Sequence, residues 1–329
     1  WSTIRDTACD YDRMQVWEQD QVAAEGIEFD AAEMNLASLG SIASFADLQT
    51  ALINRLKESS VHVQSDVQVA DINRSASEII LTDTTDRQLL SAKLLVIAEG
   101  AQSPLREYCG FTVDEQSYGQ SAVTATLATE QSHENVARQR FLSNGPLAFL
   151  PLVDGRIGLV WTTLPETADR LSDLSDSAFI DELLEASGGV LGAIQSVADR
   201  CQFPLTKRSA RRYVQPRIVL VGDSAHMVHP MAGLGMNLGL ADSCELVKEL
   251  IKAKTDDADF GSLAVLRPYE RQARARNQMT ATGIDLIASM YAWQVAPLVA
   301  ARQLSTTALD RLPQIKQLIA QTALMTRPI

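Results

Sequence analysis

Apolar and polar positions alternate at residues 14–18 (MQVWE), which predicts a strand. From Ser44 to Leu56 the apolar positions fall at helical spacing behind a Ser cap and a first-turn acid, which predicts a helix. Three Val/Ile/Leu-rich runs separated by polar turns, at 61–69, 77–82 and 94–98, predict strands. Residues 112–163 read as β-rich, with VTATL, PLAFLPL and RIGLVW as the clearest strands, and 166–200 read as helices broken at Gly188 and Gly189. Residues 217–221 (RIVLV) form a short continuous apolar run, the mark of a strand buried on both faces. Helical period returns at 235–254, 263–301 and 306–325. The order implies an α/β part interrupted by a β-rich part, with a helical tail.

Composition narrows the class. The 329 residues are 46% hydrophobic and 21% charged, which excludes a disordered chain, a collagen-like repeat and a small disulfide scaffold. The net charge of −12 argues against general nucleic-acid binding, which needs a basic surface for phosphates. Charge is uneven: residues 1–40 hold nine acids and two arginines, whereas 271–329 are basic, which suits one face meeting an anionic surface. Cys9, Cys109, Cys201 and Cys244 are far apart with no CxxC pair, as expected of free thiols in a reducing cytoplasm. The longest uncharged apolar stretch, 286–301, contains Pro297 and is too short to span a bilayer. The chain starts at Trp1 without a signal peptide, and reads as a sequence whose first part has been removed.

The most informative stretch is 218–242, IVLVGDSAHMVHPMAGLGMNLGLAD. A buried strand ends at Gly222-Asp223; a loop with Pro230 and Gly233 follows, and a helix opens at Gly235-Met236-Asn237. Gly233 and Gly235 let backbone approach a ligand closely, and the free N–H groups of the helix start offer donors at a positive dipole end. Asp223 stands where it can accept bonds from sugar-type hydroxyls. Asp223, His226 and His229 also have the spacing of a metal triad, but no further ligand cluster stands nearby. Gly222-Asp223-Ser224-Ala225-His226 is also close to a nucleophile elbow, except that His226 replaces the second glycine. A glycine-rich loop without a ligand is the third alternative. Gly239, inside the helix, is expected to tolerate Ala unless close packing forbids it. A second stretch, 94–106 (LLVIAEGAQSPLR), runs from a strand through Glu99-Gly100 to a helix start with Ser103, Pro104 and Arg106, an arrangement suited to phosphate or ribose.

Together these stretches resemble the class A flavoprotein monooxygenases, which carry a DGxxSxxR motif and a later GDAAHxxxPxxGxGxN motif. The segments MQVWEQD (14–20), Tyr118-Gly119-Gln120, RQRFLSNGPLAFLPL (138–152), LVW (159–161), FPLTKR (203–208), YERQARARN (269–277) and LPxxK (312–316) resemble more narrowly the ubiquinone-biosynthesis hydroxylases. Glu99 replaces the family's Asp, Leu234 its Gln and Phe45 its Asn, and no GxGxxG is present. The resemblance implies a p-hydroxybenzoate-hydroxylase-like α/β fold, N-terminally truncated. Its division would be an incomplete FAD-binding domain (1–110), a β-rich substrate domain (111–208), the remaining FAD-binding part (209–260) and C-terminal helices (261–329).

The implied chemistry is hydroxylation of a polyprenylated phenol by O2, with FAD, NAD(P)H and a flavin C4a-hydroperoxide. Flavin binding is expected to be impaired without the GxGxxG unit. Implied cofactor contacts are Gln49, Glu99, Gly100, Arg106, Gly222, Asp223, Gly233, Gly235, Met236 and Asn237. Asp223 would hold the ribityl chain, Pro230 would lie against the flavin's reacting edge, and the N–H groups of Met236 and Asn237 would face flavin O2. Phe149, Pro151 and Trp161 are the candidate walls of the substrate pocket; no metal is implied. Other ubiquinone-biosynthesis proteins, a second copy of the chain and the inner face of the cytoplasmic membrane are the expected partners. The membrane contact would use 286–301 flanked by Arg271, Arg274, Arg276, Arg302, Arg311 and Lys316. A non-catalytic scaffold of the same pathway and an FAD-dependent epoxidase or prenyl reductase are the alternatives.

Overall fold

A computed structural model describes residues 3–85, 87–229 and 233–292. The described residues form two compact units, one from within 3–63, 119–204 and 288–292, the other from within 64–118 and 205–287.

The first unit is built on a sheet whose strands lie in the order Ile194–Ala210, Val113–Thr129, Ile157–Thr163, Gly145–Pro151, Val136–Leu142, Arg13–Glu18, Ile27–Asp30. Val136–Leu142 and Arg13–Glu18 run parallel, and the strands around them pair antiparallel. One face carries Val123, Leu127, Leu147, Phe149, Leu159 and Trp161, and packs on Ala168 and Leu171 of the Pro165–Asp173 helix and Phe179 and Leu183 of the Asp176–Ser187 helix. The Phe45–Lys57 helix starts where its cap predicts: the Ser44 hydroxyl accepts from the Asp47 N–H at 3.5 Å.

The second unit holds the Ile218–Leu220 strand, buried at all three positions as its apolar run predicts. It pairs antiparallel with Val214–Gln215 and parallel with Leu95–Ile97. The Gly235–Thr255 helix and the Leu263–Ala292 helix bring Leu246, Leu266, Tyr269 and Ala273 into the same core. A separate antiparallel sheet is formed by Asp71–Arg74, Ile79–Thr82 and Gln88–Ala92.

Two expectations fail. Residues 61–69 alternate like a strand, with Val61, Val63, Val67 and Val69 on one parity, but are almost all exposed and form none: among the described residues that apolar face finds no surface to bury against. Residues 194–200 are not helical: they open the 17-residue Ile194–Ala210 strand, whose mostly exposed polar positions hide the period of two. The stretches 293–301 and 306–325, read as helical, lie outside the described residues.

Candidate functional site

Two strand-to-helix turns meet in the second unit. After Leu95–Ile97 the chain turns at Gly100, whose φ of +81° favours glycine. Glu99 Oε2 accepts from the Ser103 hydroxyl at 2.6 Å and from the Leu105 N–H at 3.0 Å, while Ser103 Oγ accepts from the Arg106 N–H at 3.1 Å. Glu99 and Ser103 therefore cap the short Pro104–Tyr108 helix between them. Arg106 is buried and donates to the Ser224 carbonyl at 3.3 Å, tying this turn to the next.

The second turn follows Ile218–Leu220. Gly222 has φ +58° and opens a 3-10 turn, Gly222–Ser224, that closes with the Ala225 N–H on the Gly222 carbonyl at 2.8 Å. Asp223 points to solvent with no side-chain hydrogen bond among the described residues. The atoms crowded around it raise its pKa, with His226 acting in the opposite sense. Ser224 is fully buried and donates to the Gly100 carbonyl at 3.2 Å, and His226 Nε2 lies 2.5 Å from Asp242. Ser224, buried and bonded to the Gly100 carbonyl, is not presented as the exposed nucleophile that the elbow alternative needs. Among the described residues no three His, Cys, Asp or Glu side chains gather in a way that could hold a metal ion.

Beyond the turn, the Gly235–Thr255 helix starts without a side-chain cap and without an acid in its first turn. Its first helical bond runs from the Leu238 N–H to the Leu234 carbonyl at 3.0 Å, so the N–H groups of Gly235, Met236 and Asn237 precede the ladder. Gly233 has φ +62°, and a Cβ built on Gly233 or Gly235 meets nothing within 4 Å. Among the described residues the space at these two glycines is therefore open. Pro230 lies outside the described residues. One residue before it, the buried His229 ring stands edge-on to Tyr118 at 4.8 Å, and burial lowers its pKa to about 4.

The remaining candidates fall in the first unit. Gln49 is exposed on the Phe45–Lys57 helix. Phe149 and Trp161, expected to wall a pocket, instead stand in the helix-covered core, with Trp161 6.3 Å from Phe179; Pro151 is buried on the same side. Every residue of PLAFLP is apolar or small, so the pattern could not say which parity faces which side. The opposite face carries the half-buried Ala148, Leu150 and Val160. Sequence reasoning also missed Asp242, Arg276 and Asn277, although the YERQARARN segment carries the last two.

The fold with its paired turns is shared with solved flavin-dependent enzymes. Structures of this architecture include p-nitrophenol 4-monooxygenase PnpA of Pseudomonas putida DLL-E4, with a TM-score of 0.78 at 18% identity over 100% of this chain and 84% of that one. Klebsiella pneumoniae HpxO, complexed with FAD and uric acid, has a TM-score of 0.72 at 17% identity over 97% and 83% of the two chains. The FAD binding domain family matches residues 12–282. The chain is 31% identical to the 3-demethoxyubiquinol 3-hydroxylase of Escherichia coli over 98% of its own length and 82% of that protein. It is 36% identical to ubiquinone hydroxylase UbiL of Rhodospirillum rubrum over 74% of its own length, a match that spans 56% of the relative. The chain belongs to the FAD-binding monooxygenase family, and within it to the ubiquinone-biosynthesis hydroxylases.

Proposed function

We propose that the chain hydroxylates the ring of a polyprenylated phenol in ubiquinone biosynthesis, with FAD as cofactor, NAD(P)H as reductant and O2 as oxidant. The observation that carries this reading is the open helix start at Gly235 beside an Asp223 carboxylate without a hydrogen-bond partner among the described residues. FAD fits that arrangement: Asp223 accepts from ribityl hydroxyls, and the N–H groups of Met236 and Asn237 meet the part of the ring that gains negative charge on reduction. Bound FAD supplies the activation of O2 by electrons from NAD(P)H. The chain's own residues do the positioning. Glu99 and Ser103 fix the first turn, Arg106 and Ser224 lock it to the second, and Gly233 and Gly235 keep the approach clear of side chains. Ala148, Leu150 and Val160, rather than the core-facing Phe149, Pro151 and Trp161, offer the apolar surface for a phenol ring.

A polyprenyl phenol resides in a bilayer, and we assign peripheral membrane contact to the Leu263–Ala292 helix. Exposed Arg271, Met279 and Leu286 support it. Arg276, expected among the flanking charges, instead bonds Asp242. No described helix is long and apolar enough to cross a membrane. Mass spectrometry after turnover under 18O2 with a short-chain prenylphenol tests the reaction: one labelled hydroxyl on the ring is expected. An epoxide, a reduced prenyl chain or no product would replace this reading with the epoxidase, reductase or scaffold alternative.

A further inference from the structure

The Asp242 carboxylate is fully buried and accepts from four donors. The Gly222 N–H and His226 Nε2 reach Oδ2 at 3.2 and 2.5 Å, and Arg276 Nη2 and Asn277 Nδ2 reach Oδ1 at 2.8 and 3.3 Å. Gly222 opens the turn that presents Asp223, His226 stands just after it in the His226–Met227 strand, and the other two donors belong to the Leu263–Ala292 helix. The same helix grips the strand before the turn: the Tyr269 hydroxyl donates to the Leu220 carbonyl at 2.7 Å, and Glu270 accepts from the Tyr213 N–H at 2.7 Å. Tyr213 in turn stacks on the His226 ring at 6.0 Å.

Stability alone does not call for a carboxylate here. Desolvating charges is costly, and apolar side chains of similar volume often fill such sites at least as stably. What an apolar side chain cannot do is accept directionally from the N–H of a residue in the left-handed region, immediately before Asp223. Bonds from His226, Arg276 and Asn277 outweigh the burial that opposes ionisation and hold the Asp242 carboxyl below the usual range.

We propose that Asp242 is a positioning residue that sets the Gly222–Ser224 turn for cofactor binding, with Arg276 and Asn277 holding Asp242 in register. The inference rests on the reading of Asp223 as a flavin ligand. The test uses the full chain carrying Asp242→Asn, Asp223→Ala, both together, or the milder Arg276→Gln. Three quantities are measured: the FAD dissociation constant by fluorescence quenching, thermal unfolding of the flavin-free chain, and hydrogen–deuterium exchange of the peptide spanning 218–226. Leu266→Ala, in the same core, serves as a variant that lowers stability without touching the turn.

Asp242→Asn is expected to weaken FAD binding about tenfold or more and to speed exchange in 218–226 of the flavin-free chain. Added to Asp223→Ala it should weaken binding little further, because both act through one contact. Arg276→Gln should move both readouts in the same direction by a smaller factor, and keeps the test decisive if Asp242→Asn does not fold. A loss that simply multiplies with that of Asp223→Ala overturns the inference. So does unchanged exchange, or weakening no greater than Leu266→Ala gives at matched stability. If Asp223→Ala leaves FAD affinity intact, the functional reading falls and this inference with it. If Asp223→Ala weakens binding and neither Asp242→Asn nor Arg276→Gln does, only this inference falls.

Discussion

Replacing Gly239 by Ala should destabilise this protein, although helix propensity alone favours Ala over Gly in a helix interior by about 0.8–1 kcal/mol. The methyl carbon would stand 3.2 Å from Gly222 Cα, closer than the ordinary carbon–carbon contact of about 3.5–4 Å. Gly222 cannot easily give way. Its N–H is held by Asp242 at 3.2 Å, its carbonyl by the Ala225 N–H at 2.8 Å, and the preceding Val221 N–H by the Ile97 carbonyl at 3.1 Å. Overpacking of this kind costs about 1–3 kcal/mol, so after the propensity gain a net loss of about 1 kcal/mol is expected. Urea unfolding of the flavin-free chain reads it directly. Gly235→Ala supplies the contrast: its methyl meets nothing within 4 Å, so stability should hold while FAD binding falls as the methyl enters the approach to the helix start. A Gly239→Ala protein about 1 kcal/mol more stable than wild type would refute the close contact.

Asp223→Ala should leave unfolding unchanged, since the side chain has no hydrogen bond to lose among the described residues, while FAD binding weakens about tenfold to a hundredfold; unchanged flavin content after gel filtration would remove Asp223 from the site. Burial lowers the His229 pKa from 6.5 to about 4, so the neutral ring contributes stability that is complete above pH 6.5 and lost as the pH falls through 4. At about 1.4 kcal/mol per pH unit this amounts to about 3 kcal/mol, and urea midpoints of His229→Gln should fall that much less than wild type between pH 7.5 and 4; equal slopes would contradict the buried neutral imidazole.

What was legible in the sequence divides along physical lines. The Ile218–Leu220 strand announced itself because burial on both faces requires an uninterrupted apolar run, and the helix after Ser44 because its cap and first-turn acid are local signals. The helix start at Gly235 was legible for the same reason: glycine spacing reports backbone freedom without knowledge of what lies across the chain. Parity in residues 146–151 was not, since a strand apolar on both faces carries no mark of which side the helices cover. Whether close packing crowds Gly239 was not legible either, because its neighbour, Gly222, is 17 positions back in sequence and adjacent only once the helix folds over the turn.

Asp242 was out of reach for a further reason. Its four donors come from residues 222, 226, 276 and 277, brought together only by tertiary folding. Yet the two features explain each other. A Cβ on Gly239 would stand only 3.2 Å from Gly222 Cα, so the helix lies this close to the turn because Gly239 lacks a side chain, and at that approach Asp242, one turn further along, reaches the Gly222 N–H. Glycine at 239 and aspartate at 242 are then parts of one device: the first sets the distance between helix and turn, the second fixes the angle at which the turn presents Asp223. Enlarging Gly239 should therefore disturb the same hydrogen bond that Asp242→Asn weakens by replacing one acceptor oxygen with a donor, and both changes should speed amide exchange at Gly222. If Gly239→Ala destabilises the chain but leaves that exchange untouched, distance and angle are set independently, and the device is two separate contacts.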